Sequence, residues 1–123
     1  MEAKHGHEEE HKAHHRYMDA FDCIRTRRAI RKYKDRQVPW DNIVEIMQSA
    51  KYAPFAGNVM NLKLVVVKDD AKRKSIAEAS SQQYWMQDAP IHIVVVAEPE
   101  KIERYYGTRG VRLYSIQGIA AAV

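Results

Sequence analysis

Two short runs of β-branched residues constrain the fold of this chain more than any other feature. Leu62–Lys68 contains three consecutive valines, and Ile91–Ala97 repeats the same Val- and Ile-rich composition. A continuous apolar run of this length is typical of a strand that is buried on both faces. Helical patterns lie before, between and after the two runs, so the sequence predicts an α/β or α+β layered fold.

The helical patterns have recognisable faces and ends. Between Asp41 and Tyr52, apolar residues repeat at the i, i+3, i+4, i+7 spacing of an amphipathic helix. These residues are Ile43, Ile46, Met47 and Ala50. Asp69 or Asp70 can cap a second helix that extends to about Ser80. Between these two helices, the segment 53–58 (APFAGN) is predicted to be a loop, because proline, glycine and asparagine occur together.

The two ends of the domain carry further helical predictions. A first short helix begins near Met18, with Cys23 expected to be a small core residue. A helical piece over residues 100–106 is expected to be broken by Gly107 and Gly110. The last segment, Val111–Val123, is apolar on nearly all sides, which predicts a buried helix.

Composition limits the class of protein. The chain has 123 residues, enough for one small domain, and its net charge of +4 favours anionic ligands only weakly. Its longest apolar runs are far shorter than a bilayer span. Cys23 is the single cysteine, so an internal disulfide is impossible, which fits a reducing cytoplasm.

Residues 1–17 are predicted to be a flexible His-rich tail that precedes a domain of residues 18–123. Five of the six histidines lie in the tail, interleaved with glutamates and without apolar periodicity. Imidazole groups could capture zinc, nickel or copper there. The alternative is a soluble tail without metal, because no fold fixes the spacing of these ligands.

The most concentrated charge lies between Arg25 and Arg36, where seven of twelve residues are basic. Such a cluster can be a solvated surface, with Ile30 and Tyr33 as core anchors. It can also bind an anion, and besides a membrane surface two candidates remain open from the residues alone. One is nucleic acid, since basic residues beside an aromatic can bind phosphate and stack a base. The other is a phosphorylated cofactor.

Four motifs in register resemble the FMN-dependent nitroreductase family. They are residues 27–33 (RRAIRKY), 53–58 (APFAGN), 84–90 (YWMQDAP) and 115–122 (SIQGIAAA). The resemblance covers about residues 18–123. It implies a three-layer α/β/α fold of the α+β class, which in this chain would be incomplete, and an intertwined homodimer with FMN at the subunit interface. It also implies two-electron, ping-pong transfer from NAD(P)H through FMN to nitro compounds, quinones or similar small-molecule acceptors.

The resemblance carries residue roles onto the basic cluster. Arg27 would reach the FMN phosphate, and Arg31 would lie near the pyrimidine edge of the ring. Arg28 would also contact the cofactor. Ala29 stands where the family usually has serine, so only backbone contact remains there. No catalytic side chain and no metal is expected, because the flavin performs the hydride transfer.

The loop after the first long helix would touch the flavin held mainly by the partner subunit. Its expected cofactor contacts are Pro54, Phe55, Ala56 and Asn58, and Gln83 is expected to hydrogen-bond the ring. Phe55 replaces a usual serine, and Met60-Asn61-Leu62 replaces Gln-Pro-Trp. The family normally continues for a further segment that completes the phosphate site, so we expect a missing carboxyl-terminal part. A second chain could supply it.

Overall fold

The structure is a computed structural model that describes residues 18–123. The predicted tail and its metal-binding alternative lie outside the described residues. The helices are α1 (Ala20–Thr26), α2 (Trp40–Ser49), α3 (Asp70–Ala79), α4 (Pro99–Arg109) and α5 (Ser115–Ala122), and the strands are β1 (Leu62–Val67) and β2 (His92–Ala97). Short 3₁₀ turns cover Ala50–Tyr52, Ala56–Asn58 and Tyr84–Asp88, and a π-helical turn over Gly110–Tyr114 joins α4 to α5. The predicted α+β class is confirmed.

The two strands pair antiparallel, with Leu62 opposite Ala97 and Val67 opposite His92. The prediction that both faces are buried is wrong within the described residues. On β1, Lys63 and Val65 are exposed, whereas their neighbours on the other face are half-buried. Side chains alternate between the faces of a strand, so the face that carries Lys63 and Val65 is open over much of its length and is covered at its end, where His92 is buried opposite Val67.

The core of the described chain is small. Ile43 of α2, Ala77 of α3 and Ile102 of α4 are fully buried. The amphipathic helix predicted from residue 41 is confirmed as α2, which continues into a 3₁₀ turn ending at Tyr52. The predicted cap of α3 is Asp69, whose carboxylate accepts a hydrogen bond from Lys72 N at 2.9 Å.

The two predicted glycine breaks behave differently. Gly107 has φ 55° and ψ −147°, a conformation that only glycine adopts readily, and it kinks α4 as predicted. Gly110 does not end the helix: its φ is −57°, and the chain continues into the π-helical turn. A Cβ at Gly110 would lie 2.9 Å from Tyr106 Cβ, so this glycine permits close packing instead.

The predictions of burial at the two ends are wrong within the described chain. In α5 only Ser115 and Gly118 are buried, and Ile116 is 64% exposed. Cys23 is exposed, and α1 contains no buried residue. α5 packs on β2 through its buried residues, but the apolar side chains of α1 and most of those of α5 are left uncovered by the described chain. None of the helices described here has the length and apolar character needed to cross a membrane.

A cluster of hydrogen bonds fixes the turn that leads into β2. Arg73 of α3 donates from Nη1 to Gln87 O at 2.7 Å and also to Ala89 O, and its Nη2 pairs with Asp70. His92 Nε2 lies 2.8 Å from Met86 O. A carbonyl only accepts, so Nε2 carries the ring proton. The interpretation of His92 as a satisfied, half-buried histidine is thus confirmed only for Nε2, because the residue is buried and its Nδ1 has no hydrogen-bond partner within residues 18–123.

Replacing Arg73 tests how strongly this cluster holds the turn. We expect Arg73→Ala to lower the free energy of unfolding by about 2–4 kcal/mol, because two carbonyls lose a charged donor. Chemical denaturation measures the change. Lys74→Ala is the control: Lys74 is exposed and makes no side-chain hydrogen bond within residues 18–123, so its effect should stay within about 0.5 kcal/mol. Equal losses in the two variants would contradict the role given to Arg73.

Candidate functional site

The basic arm, defined as residues 27–36, follows α1 and forms neither helix nor strand. All of its residues are exposed. No hydrogen bond or ion pair within residues 18–123 joins the arm to a later residue. The arm is therefore an accessible strip of positive charge that leaves its cations open to a ligand.

Trp85 is the point at which aromatic contacts attach the arm to the domain. The ring of Tyr33 stacks on it, with centroids 6.2 Å apart and planes inclined by 22°. The guanidinium carbon of Arg31 lies over the same ring, 5.7 Å from its centroid. Tyr33 Oη also donates to Ile30 O at 3.2 Å, which closes a short loop around Arg31. Tyr33 contacts the domain through Trp85, but it is 38% exposed and Ile30 is 65% exposed, so the alternative in which both residues are core anchors is wrong within residues 18–123.

The arginines in and just before the basic arm differ in whether their guanidinium N–H donors are already bound. Arg25 pairs with Asp22 at 2.6 Å. Arg28 turns its Nη1 back onto the carbonyls of Arg25 and Arg27, each at 2.9 Å. The guanidinium groups of Arg27 and Arg31 make no hydrogen bond or ion pair with any residue between 18 and 123. These two groups therefore keep their N–H donors for an anion, as Arg36 does, and of the three arginines that the resemblance selected only Arg28 spends donors on the backbone.

The loop of residues 53–58 is held against the carboxyl-terminal helices. Gly57 has φ 59°, and a Cβ at this position would lie 2.5 Å from Tyr106 Oη. Asn58 also has positive φ, 57°, which asparagine tolerates better than most residues. Phe55 packs on Gly118, where a Cβ would lie 3.0 Å from its ring. Pro54, Phe55 and Ala56 line an open depression together with α5.

The start of β1 is joined to α5 by a buried pair of polar groups. Asn61 Nδ2 donates to Ser115 Oγ at 2.7 Å, and both residues are almost fully buried. Asn61 O accepts from Glu98 N at 2.8 Å. A hydrogen bond from Lys101 Nζ (2.6 Å) lowers the pKa of the Glu98 carboxyl, so this group is ionised near neutral pH and does not serve as a proton donor.

The strand register separates the arm from the loop. The loop precedes β1, whose first residue, Leu62, lies opposite the end of β2. The turn that carries Trp85 precedes β2, whose first residue lies opposite the end of β1. Five residue steps of antiparallel strand span about 17 Å. The structure therefore brings Arg31 to Trp85 at one end of the strand pair, and Pro54, Phe55, Ala56 and Asn58 together at the other.

Gln83 lies close to Trp85 in sequence, but its side chain serves the backbone. Its Nε2 donates to Ser80 O at 3.0 Å, in a tight turn where Ser81 and Gln82 have φ near 59° and 58°. Gln83 thus satisfies a carbonyl at the end of α3. Its expected contact with a flavin ring stays a prediction, as do the contacts of Arg28 and Ala29.

Sequence reasoning missed two features of this region. The binding of Arg73 to the carbonyls of residues 87 and 89 has no signal in the sequence, because an arginine in a charged helix usually faces solvent. The stacking of Trp85 had a partial signal. Arg31 and Tyr33 are two residues apart, the spacing at which side chains of an extended chain point the same way.

Comparisons with known proteins agree on one family. The model of the nitroreductase family matches residues 24–111. An NADH dehydrogenase of Thermus thermophilus is 35% identical over 83 residues, which is 68% of this chain and 40% of that protein. An FMN reductase [NAD(P)H] of Bacillus subtilis is 28% identical over 71 residues, 58% of this chain and 28% of that protein. The chain spans between 28% and 49% of the length of the curated relatives that it matches.

Solved structures confirm the expected fold. A nitroreductase family protein from Clostridium novyi NT superposes with a TM-score of 0.72 at 25% identity. The superposition covers 85% of this chain and 59% of that one. The helices and strands described above are thus arranged as in a nitroreductase-like fold.

The packing of Gly57 predicts that a larger residue at this position destabilises the fold. We expect Gly57→Ala to lower the free energy of unfolding by about 2 kcal/mol, because a left-handed backbone costs an alanine about 1–2 kcal/mol and its methyl group meets Tyr106 Oη. Adding Tyr106→Phe should restore the part of the loss that comes from the hydroxyl group. Chemical denaturation of both variants measures this. A Gly57→Ala protein as stable as the parent would contradict the packing.

Proposed function

The chain belongs to the nitroreductase family, and from that premise we propose that it works as an FMN-dependent oxidoreductase that uses NAD(P)H. The observation that carries the proposal is the pair of arginines in the basic arm. Arg27 and Arg31 expose guanidinium groups that no residue between 18 and 123 neutralises. The Bacillus subtilis relative, which is named as an FMN reductase, supports the same choice of cofactor.

The chemistry of the arm fits FMN. A phosphate dianion is bound best by guanidinium groups, whose forked donors match its oxygens. We propose that Arg27 binds the phosphate and that Arg31 lies beside the pyrimidine edge of the flavin, where a fixed cation stabilises negative charge. Arg28, whose Nη1 is already bound to carbonyls, would contribute mainly charge, and Ala29 only its backbone.

A second copy of the chain would complete the site. Within one chain the loop of residues 53–58 and the turn that holds Arg31 lead into opposite ends of the strand pair, which are about 17 Å apart along the strands. We therefore propose a homodimer in which Pro54, Phe55, Ala56 and Asn58 contact the flavin held by the arm of the partner. The same association would cover apolar side chains that are exposed in the single chain, such as Phe21 and Ile24, each 73% exposed.

When bound, FMN would supply the chemistry, a two-electron transfer from NAD(P)H to nitro compounds, quinones or similar acceptors in ping-pong order. The chain's own residues would bind and orient the cofactor and shape the acceptor pocket. Phe55 narrows that pocket where the family usually has a smaller side chain. A carboxyl-terminal part that completes the phosphate site, the use of a second chain to supply it, and a cytoplasmic location stay predictions.

The competing function is a nucleic-acid- or anion-binding module that uses the arm alone. An absorbance spectrum and a sizing column distinguish the two. Purified chain that is yellow, releases FMN on denaturation and elutes as a dimer would support the oxidoreductase. Colourless chain that does not take up added FMN, and whose binding to DNA falls steeply with salt, would support the rival.

Removing both arginines tests the cofactor site. We expect Arg27→Ala with Arg31→Ala to weaken FMN binding by a factor on the order of 10²–10⁴, because two charge-assisted contacts are lost. Equilibrium dialysis against FMN measures the affinity. Lys32→Ala with Lys34→Ala removes the same charge from the same arm and should change the affinity far less. If the two double variants lost affinity equally, the arm would act by its net charge and not through these two residues.

A further inference from the structure

We propose that Trp85 is a positioning residue of the flavin site, whose indole ring holds the guanidinium of Arg31 ready for the cofactor. The inference rests on the proposed function and adds to it a residue outside the basic arm. Trp85 is the only residue of the segment 37–123 that contacts the arm through an aromatic stack or a cation–π pair. The orientation of Arg31 therefore depends on where this ring is held.

The backbone around Trp85 is held firmly. Met86, the next residue, has its carbonyl bound by His92 Nε2, and the carbonyl of Gln87 is bound by Arg73 Nη1. The donors come from β2 and α3, two elements of the packed domain. The indole ring is partly buried between this turn and the arm. Trp85 is thus a fixed surface against which an exposed arm can be ordered.

The contact with Trp85 orders Arg31 without using up its hydrogen-bonding capacity. A cation–π pair is made through the face of the aromatic ring, whereas the N–H donors of a guanidinium lie in its own plane. Arg31 can therefore rest over Trp85 and still donate to the acceptors at the pyrimidine edge of a flavin. Restricting a long side chain before the ligand arrives reduces the entropy lost on binding. Trp85 would raise affinity for FMN without touching it.

The chain contains a matched control for this effect. Trp40, at the start of α2, also lies under a cation: Lys68 Nζ is 5.2 Å from its ring centroid. Neither Trp40 nor Lys68 belongs to the arm. Removing Trp40 deletes the same kind of ring and the same kind of contact away from Arg31.

The test is a titration of the full chain with FMN, followed by flavin fluorescence. We expect Trp85→Leu to weaken FMN binding by about two- to fivefold, which corresponds to the loss of one cation–π pair. Trp40→Leu should leave the affinity unchanged, and Trp85→Phe, which keeps an aromatic face, should recover most of it. In an Arg31→Ala background, Trp85→Leu should cause a clearly smaller loss, because only the stack with Tyr33 is then removed.

The outcomes separate this inference from the proposed function. A parent chain that does not bind FMN overturns both. A parent that binds FMN while Trp85→Leu behaves like Trp40→Leu overturns only the inference, as does an equal effect of Trp85→Leu with and without Arg31. A second measurement uses a chain that retains Trp85 and follows its fluorescence. In a Trp40→Phe chain, where Trp85 is the only tryptophan, Arg31→Ala should shift the emission without FMN, and an unchanged spectrum overturns the inference.

Discussion

The antiparallel register of β1 and β2 is the constraint on which the rest of the arrangement depends. Val67 pairs with His92 and Leu62 pairs with Ala97. The segment that precedes β1 and the segment that precedes β2 therefore lie at opposite ends of the strand pair. One end presents the turn with Trp85 and, through it, the basic arm. The other end presents the loop of residues 53–58 against α5. Under the proposed function, a single chain would therefore offer two half-sites, and a second copy would complete the flavin site.

Each half-site is held by a small number of specific contacts. At one end, Arg73 and His92 bind carbonyls of the turn, and the guanidinium of Arg31 lies over the ring of Trp85 in that turn. At the other end, the buried bond between Asn61 and Ser115 fixes the start of β1 to α5. The core behind them is small, so these polar contacts do much of the positioning that a larger apolar core would do in a bigger domain.

Much of the fold could be predicted from local patterns. The strands, α2 and the cap at Asp69 follow from valine runs, helical spacing and a capping side chain. Burial could not be predicted at the two ends. The apolar character of Ile116 and Cys23 indicates that a surface is covered, but sequence does not say whether the same chain covers it. Gly110 shows the same limit, since a glycine that permits close packing looks like one that ends a helix.

The residues proposed for the candidate site stay a prediction, and the contacts that support the turn beside them could not be predicted from the sequence. The resemblance assigned Arg27 and Arg31 to the cofactor, and neither guanidinium makes a hydrogen bond or ion pair within residues 18–123, although Arg31 lies over Trp85. The contribution of Arg73 depends on carbonyls fourteen and sixteen residues away, which no local pattern encodes.

A crystal structure of the chain grown with FMN tests the central claim most directly. The account predicts the phosphate bound by Arg27 and the pyrimidine edge beside Arg31, with the loop of a second copy against the ring. FMN bound elsewhere, with both side chains extended into solvent, would contradict it.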